Sequence, residues 1–495
     1  MPPEPDPADG APHDGVTFPV GANGRRSTSD VGRAIFVDAL RAADATAAAE
    51  VERVADWRSG YLGPARRLVE LAAADAAAAQ RIAGAGLAAA YRRLRFARNG
   101  EDAALEALPD ARLRLGTRMV RGAGKAGPSP IAVPYQGQVL SGDALRRQLD
   151  RWEADGLVEP SFAQAIWRVQ AHPDWLDLSD QRFALLGALA EMSPLPWLLR
   201  WRATVYAVDL PRAPIEQKMS RLAHAGNGTL CLPCATGGDG TVAGADLVRD
   251  VPEIAAWLHE ADGSLTVGAY AYLDGAQHVR VVAAMDAIQA RLAARRRDVT
   301  LAMLATPTDA YAVPADALRA AHARFDARGP LARTAAALTL GRAFARNGAS
   351  FGAGAPFGGI VDALVVQQGP NYVLAKRLQH WRALVARAQG TRVSIHVAPP
   401  AFTRSVTKNR LLAAAYRAAH RFGAQAFEPA TAAALMAALL VHDLRHAQAP
   451  AHAEVALAHP LRLLTEAACH GGLWRMPYAA RSALPAAALI GLLQR

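Results

Sequence analysis

Tyr372-Val-Leu-Ala-Lys376 places a phenol and an ammonium four residues apart, which puts both on one face of a helix. A lysine so placed can lower the pKa of the phenol beside it. A phenol tuned in this way exchanges a proton with a carbonyl or an alcohol. The chain has ten Tyr and four Lys in 495 residues. Chance then gives about 0.08 pairs of this spacing, so this pair is taken as a candidate catalytic site. A second set lies upstream, where the apolar run Phe183–Leu186 ends in Gly187-Ala-Leu-Ala-Glu-Met-Ser193-Pro194 and a later run ends in Asp209. A dinucleotide site needs a sharp glycine turn after a strand, a helix opening behind it, and a carboxylate about 20 residues on for the ribose hydroxyls. Gly187 and Asp209 stand at those positions.

After the Tyr372 helix comes Arg392-Val-Ser-Ile-His-Val-Ala-Pro-Pro-Ala-Phe-Thr403. Together the two segments resemble the short-chain dehydrogenase/reductase family, in which a Tyr-x-x-x-Lys helix precedes a strand of the form Arg-Val-Asn-x-Val-x-Pro-Gly, with a Thr beyond it. The resemblance implies Tyr372 as acid/base and Lys376 acting on both the phenol and the nicotinamide ribose. It also implies a catalytic hydroxyl, and NAD held by Gly187, Ser193, Asp209, Gly268, Lys376 and Thr403. The chain departs from the family in several places. Glu191 and Ser193 stand where further glycines belong, Gly268-Ala-Tyr-Ala271 replaces the Asn-Asn-Ala-Gly turn, and Pro400 replaces Gly. The position of the family's catalytic Ser falls on Gly359, so the hydroxyl is expected from Thr306 or Thr308, carried to Tyr372 by folding.

The elements that must position these residues read as an α/β fold. It is a Rossmann-type parallel sheet with helices on both faces, preceded by a helical region. The expected strands are Phe183–Leu186, Thr204–Val208, Thr229–Leu232, Leu265–Ala269, Val299–Leu304, Ile360–Val366 and Arg392–Ala398. Amphipathic segments alternate with them, such as the one carrying Val281, Met285, Ile288 and Leu292. The reading divides the chain into a disordered tail over 1–29, a helical accessory region over 30–115 with Asp30 as a first N-cap, and a linker with lead-in helices over 116–178. The α/β domain spans 179–495, with an insertion at about 314–359.

Charge and composition narrow the function. The net charge of +11 comes from Arg, without a basic run interleaved with aromatics, so nucleic acid is not expected. No apolar stretch reaches the roughly 18 residues of a membrane span, and the first residues lack the basic start and apolar run of a secretory signal. A cytoplasmic protein acting on a small molecule is expected, and a homo-oligomer is compatible with the sequence. Asp209 favours NAD over NADP, since a carboxylate repels a 2′-phosphate. Two other readings stay open. Gly187 and Asp209 also suit the ribose of S-adenosylmethionine in a methyltransferase, and the chain can equally be a non-catalytic ligand-binding or scaffolding relative on a decayed dehydrogenase fold.

Lesser motifs are Cys231-Leu-Pro-Cys234, read as strand-end thiols, and His442-Asp-Leu-Arg-His446, which lacks the Glu of a zinc-protease helix. No metal site is expected. His470-Gly-Gly-Leu-Trp474 reads either as a pocket lid or as a packed turn.

Overall fold

The computed structural model describes residues 14–21, 24–124, 127–236 and 242–494. Seven strands form the central sheet: β1 (Leu115–Arg121), β2 (Arg182–Leu186), β3 (Thr204–Val208), β4 (Thr229–Ala235), β5 (Leu265–Ala269), β6 (Val299–Ala305) and β7 (Arg392–Val397). Their order across the sheet is β7-β6-β5-β2-β3-β4-β1. All neighbouring pairs are parallel except β1 with β4. Counted along the chain, the six parallel strands therefore lie in the order 3-2-1-4-5-6. The direction of winding reverses between β2 and β5.

Alternation along the strands feeds two apolar layers. Phe183 and Leu185 of β2 pack with Leu195, Leu198 and Leu199 of the helix Leu195–Arg200 and with Leu435 and Leu439 of the helix Pro429–Arg445. Ala184 and Leu186 belong to the opposite layer, with the helices Gly275–Arg295 and Gly369–Ala388. The accessory helices Thr28–Arg41, Leu62–Ala74 and Ala76–Arg93 join that second layer. Gly86 meets Trp381 so closely that a Cβ would lie 2.5 Å from the indole. Beside this contact, Asp286 takes Arg382 Nε at 2.7 Å, Arg382 NH2 at 2.8 Å and the Tyr91 hydroxyl at 2.7 Å. A buried carboxylate that accepts three hydrogen bonds clamps three helices together, and so fixes the helix that carries Tyr372.

Several expectations need correction. The seventh strand is the antiparallel β1, which runs from the last residue of the stretch read as helical into the stretch read as linker, and Ile360–Val366 is not in the central sheet. Gly359–Asp362 instead lies between Ala310–Val313 and Ala349–Ser350 in a small antiparallel sheet. A short apolar run has no periodicity to distinguish these two settings. The 30–115 region is not wholly helical, because Arg95–Arg98 and Glu101–Ala104 form a hairpin that pairs with Gly15–Thr17. The tail is thus ordered in part, while residues 1–13 and 22–23 lie outside the described residues. The first N-cap is Ser27, whose hydroxyl accepts from Asp30 N.

Candidate functional site

At the carboxyl ends of β2 and β5 the chain makes a tight crossing. Leu186 O accepts from Tyr270 N and Ala271 N at 2.9 and 3.0 Å, and Val208 O accepts from Gly187 N and Ala188 N at 3.0 and 3.2 Å. Gly187 has φ +86°, and a Cβ there would stand 2.5 Å from Ala271 N. Backbone on that side leaves room for glycine alone. Asp209 reaches into this turn, with Oδ2 accepting from Leu189 N and Oδ1 from Leu210 N, both at 2.9 Å. A carboxylate has about four acceptor positions, so each oxygen keeps capacity for a further donor.

The other turn residues have different partners. Glu191 accepts from Arg404 N at 3.0 and 3.2 Å, so its charge is directed to the start of the short helix Arg404–Thr407. Thr403 precedes that helix, and its hydroxyl meets Ser405 Oγ at 3.0 Å. Ser193 is buried at the start of the helix Leu195–Arg200, and Gly268 lies under the Tyr270 ring, where a Cβ would be 2.2 Å from Cε2. Gly187 and Asp209 are therefore brought together, whereas Ser193 and Gly268 are enclosed by packing.

Tyr372 lies on the first turn of the helix Gly369–Ala388, which packs against β6. Its ring stacks on His278 at 5.6 Å and meets the edge of Tyr272 at 6.2 Å. Tyr272 is the residue after Ala271, so this cluster adjoins the Gly187 turn. The antiparallel pairing of Ala310 with Asp362 closes the excursion between β6 and the Tyr372 helix. It returns the chain beside Thr306 and Thr308, whose hydroxyls lie 2.9 Å apart. Gln368 Nε2 then donates to Thr308 Oγ1 at 2.7 Å and Thr308 O at 3.0 Å. One turn into the helix, Lys376 Nζ lies 6.0 Å from the centre of the Tyr372 ring. It donates to Leu304 O at 3.1 Å and Gln379 Oε1 at 2.9 Å.

The electrostatics differ from the expected lowering of the phenol by Lys376. Burial raises the Tyr372 pKa above the ordinary tyrosine value, and interaction with the Thr306 hydroxyl opposes it only in part. The ammonium is drawn toward the Leu304 carbonyl and Gln379. Burial also lowers Lys376 to about 8, against attraction by Asp309. Asp309 is itself ion-paired with the buried Arg377. His278, 2% exposed, is held well below the usual histidine range by burial and by Lys376, and its Nε2 has no hydrogen-bond partner among the described residues. Sequence reasoning missed His278, because a lone histidine on an apolar helix carries no spacing signal.

The lesser motifs resolve as packing. Cys231 is buried, its thiol pushed up to about 11 by burial, and it shares no disulfide with Cys234. His442 and His396 both face the buried Asp443, at 3.3 and 2.7 Å. Among the described residues no group of three or more His, Cys, Asp or Glu is placed to hold a metal. His470 and Trp474 are fully buried with their rings stacked at 4.7 Å, which makes that segment a packed turn. No helix among the described residues is long and apolar enough to cross a membrane. No protein-family model, curated protein or solved structure matches this chain.

Proposed function

We propose that the chain is an oxidoreductase acting on a small carbonyl or alcohol substrate, with Tyr372 as the proton donor and NAD as the redox partner. The observation that carries this reading is the convergence of Tyr372, Thr306 and Lys376 beside the point where the strand order reverses. The order 3-2-1-4-5-6 is that of Rossmann-type sheets, which take dinucleotides outside the carboxyl ends at this reversal. The acceptor offered there suits the adenosine ribose hydroxyls. Asp209 retains acceptor positions for them, and Glu191 is hydrogen-bonded to Arg404 N. Asp209 also disfavours the 2′-phosphate of NADP. Thr403 and the third N–H of Lys376 are the further groups suited to hold the cofactor.

Bound nicotinamide supplies the hydride. The chain's own residues manage the proton. A phenol whose pKa burial has raised stays protonated at neutral pH, so Tyr372 acts as an acid toward a carbonyl oxygen and favours reduction. The hydroxyls of Thr306 and Thr308 form a short path by which that proton is restored.

Packing of Ala271 and Tyr270 into the strand-order reversal favours a second reading, a ligand-binding relative without turnover. Thermal-shift titration with NAD, NADP and S-adenosylmethionine tests both, because a ligand that binds the folded state raises its melting temperature. A rise with NAD that exceeds the rise with NADP is expected. A rise with S-adenosylmethionine alone would point to the methyltransferase alternative, and no rise with any of the three would leave the non-catalytic reading.

A further inference from the structure

Lys376 lies in this cluster with two neutral acceptors, Leu304 O and Gln379 Oε1, and among the described residues it makes no ion pair. The carboxylate that acts on it at longer range, Asp309, is ion-paired with Arg377. The titratable groups around it are Tyr372, Arg377 and His380 on its own helix, Asp309 and Tyr311 after β6, and His278 on the helix Gly275–Arg295. His278 and His380 are both held neutral by burial, so neither brings a compensating charge. The lysine side chain is partly exposed, on the same helix face as Tyr372.

We propose that Lys376 reacts as a nucleophilic amine, condensing with an aldehyde or unhindered ketone at the Tyr372 site to form an imine. The Nζ lone pair attacks the carbonyl carbon, and the carbonyl π electrons go to oxygen, which takes the Tyr372 proton. The nitrogen of the carbinolamine then returns a proton to the phenolate. Its lone pair forms the C=N bond as the C–O bond breaks, and the oxygen leaves as water after taking up a second proton, while the nitrogen loses its remaining one. The sequence needs no oxidant or reductant, and the unprotonated amine, whose share burial enlarges, is the form in which such lysines react. It takes from the proposed function only the location of the site.

At pH 7.5 an amine with a pKa of about 8 is unprotonated in about a quarter of molecules, against about one in a thousand at 10.5. The experiment treats the full chain with acetaldehyde and sodium cyanoborohydride at pH 7.5, without nicotinamide, and maps N-ethylation by peptide mass spectrometry. The chain has four lysines, Lys125, Lys218, Lys376 and Lys408, so assignment is direct. Lys376 should be ethylated at least about tenfold faster than the exposed Lys218 and Lys408. In urea that preference should vanish. Labelling of Lys376 no faster than Lys218 and Lys408, or none in the folded chain, overturns the proposal and leaves the NAD titration unaffected.

Discussion

Glu159→Gln should cost the fold about 3–4 kcal/mol at neutral pH. Glu159 is 3% exposed, and its Oε1 accepts from His470 Nε2 at 3.0 Å and Arg475 Nε at 2.8 Å, while Oε2 accepts from Arg475 NH2 at 2.9 Å. Gly472 N donates to His470 Nδ1 at 3.1 Å, which makes Nε2 the protonated nitrogen. The cluster joins the start of the helix Pro160–Ala171 to the C-terminal segment. Burial works to raise the Glu159 pKa, but the His470 and Arg475 hydrogen bonds outweigh it and bring it to about 2, from 4.5. That difference of about 2.5 units, at about 1.4 kcal/mol each, is about 3–4 kcal/mol. A glutamine keeps the shape but turns its amide N–H groups toward donors, and breaking a buried pair typically costs about 3–5 kcal/mol. Because the folded pKa is depressed, the carboxylate's contribution is present in full above pH 4.5 and fades as pH falls toward 2. Equilibrium urea unfolding of both proteins between pH 7 and pH 3 reads this directly. The gap should narrow once the pH drops below 4.5. A gap under about 1 kcal/mol at pH 7, or one that stays constant with acidification, would refute the argument.

Tyr372→Phe should lower turnover of a carbonyl substrate by about 10²–10⁴-fold and leave NAD affinity nearly unchanged, because only the proton donor is removed. Steady-state kinetics with calorimetric titration separates the two effects, and equal loss of both would make the residue structural. Asp209→Ala should weaken NAD binding by about 1–3 kcal/mol through loss of charge-assisted hydrogen bonds. Asp209→Asn, which keeps an acceptor for Leu189 N, should preserve the turn better; unchanged NAD affinity in both variants would remove Asp209 from the site.

Much of the sheet was legible because buried parallel strands are local apolar runs of characteristic length. Six of the seven expected runs are strands of the central sheet, with ends within a few residues of those read from the sequence. The misplacement of Ile360–Val366 and the unexpected β1 have opposite causes: Ile360–Val366 is a short apolar run that reads the same in a small antiparallel sheet as in the central one. β1 is an edge strand whose residues alternate between half-buried and exposed, and edge strands lack the continuous apolar run. The hairpin at Arg95–Ala104 was hidden in the same way, since its strands are short, charged and only partly buried.

At the candidate site, the sequence by itself determined the local relationships. Tyr372 and Lys376 share a helix face because of the 3.6-residue period, and Gly187 supplies the positive φ of the turn after its strand because glycine adopts it without strain. What spacing could not contain is direction and partnership across the fold. Whether the Lys376 ammonium serves the phenol or the carbonyl of Leu304 depends on β6, 72 residues earlier in the chain. Thr306 reaches Tyr372 only because Ala310 pairs with Asp362, and His278 joins them only because the helix Gly275–Arg295 packs beside Gly369–Ala388. The pKa values follow from these meetings. Burial raises the phenol and lowers the amine, since charge is disfavoured wherever water is excluded, and exclusion of water is a property of the packed chain alone.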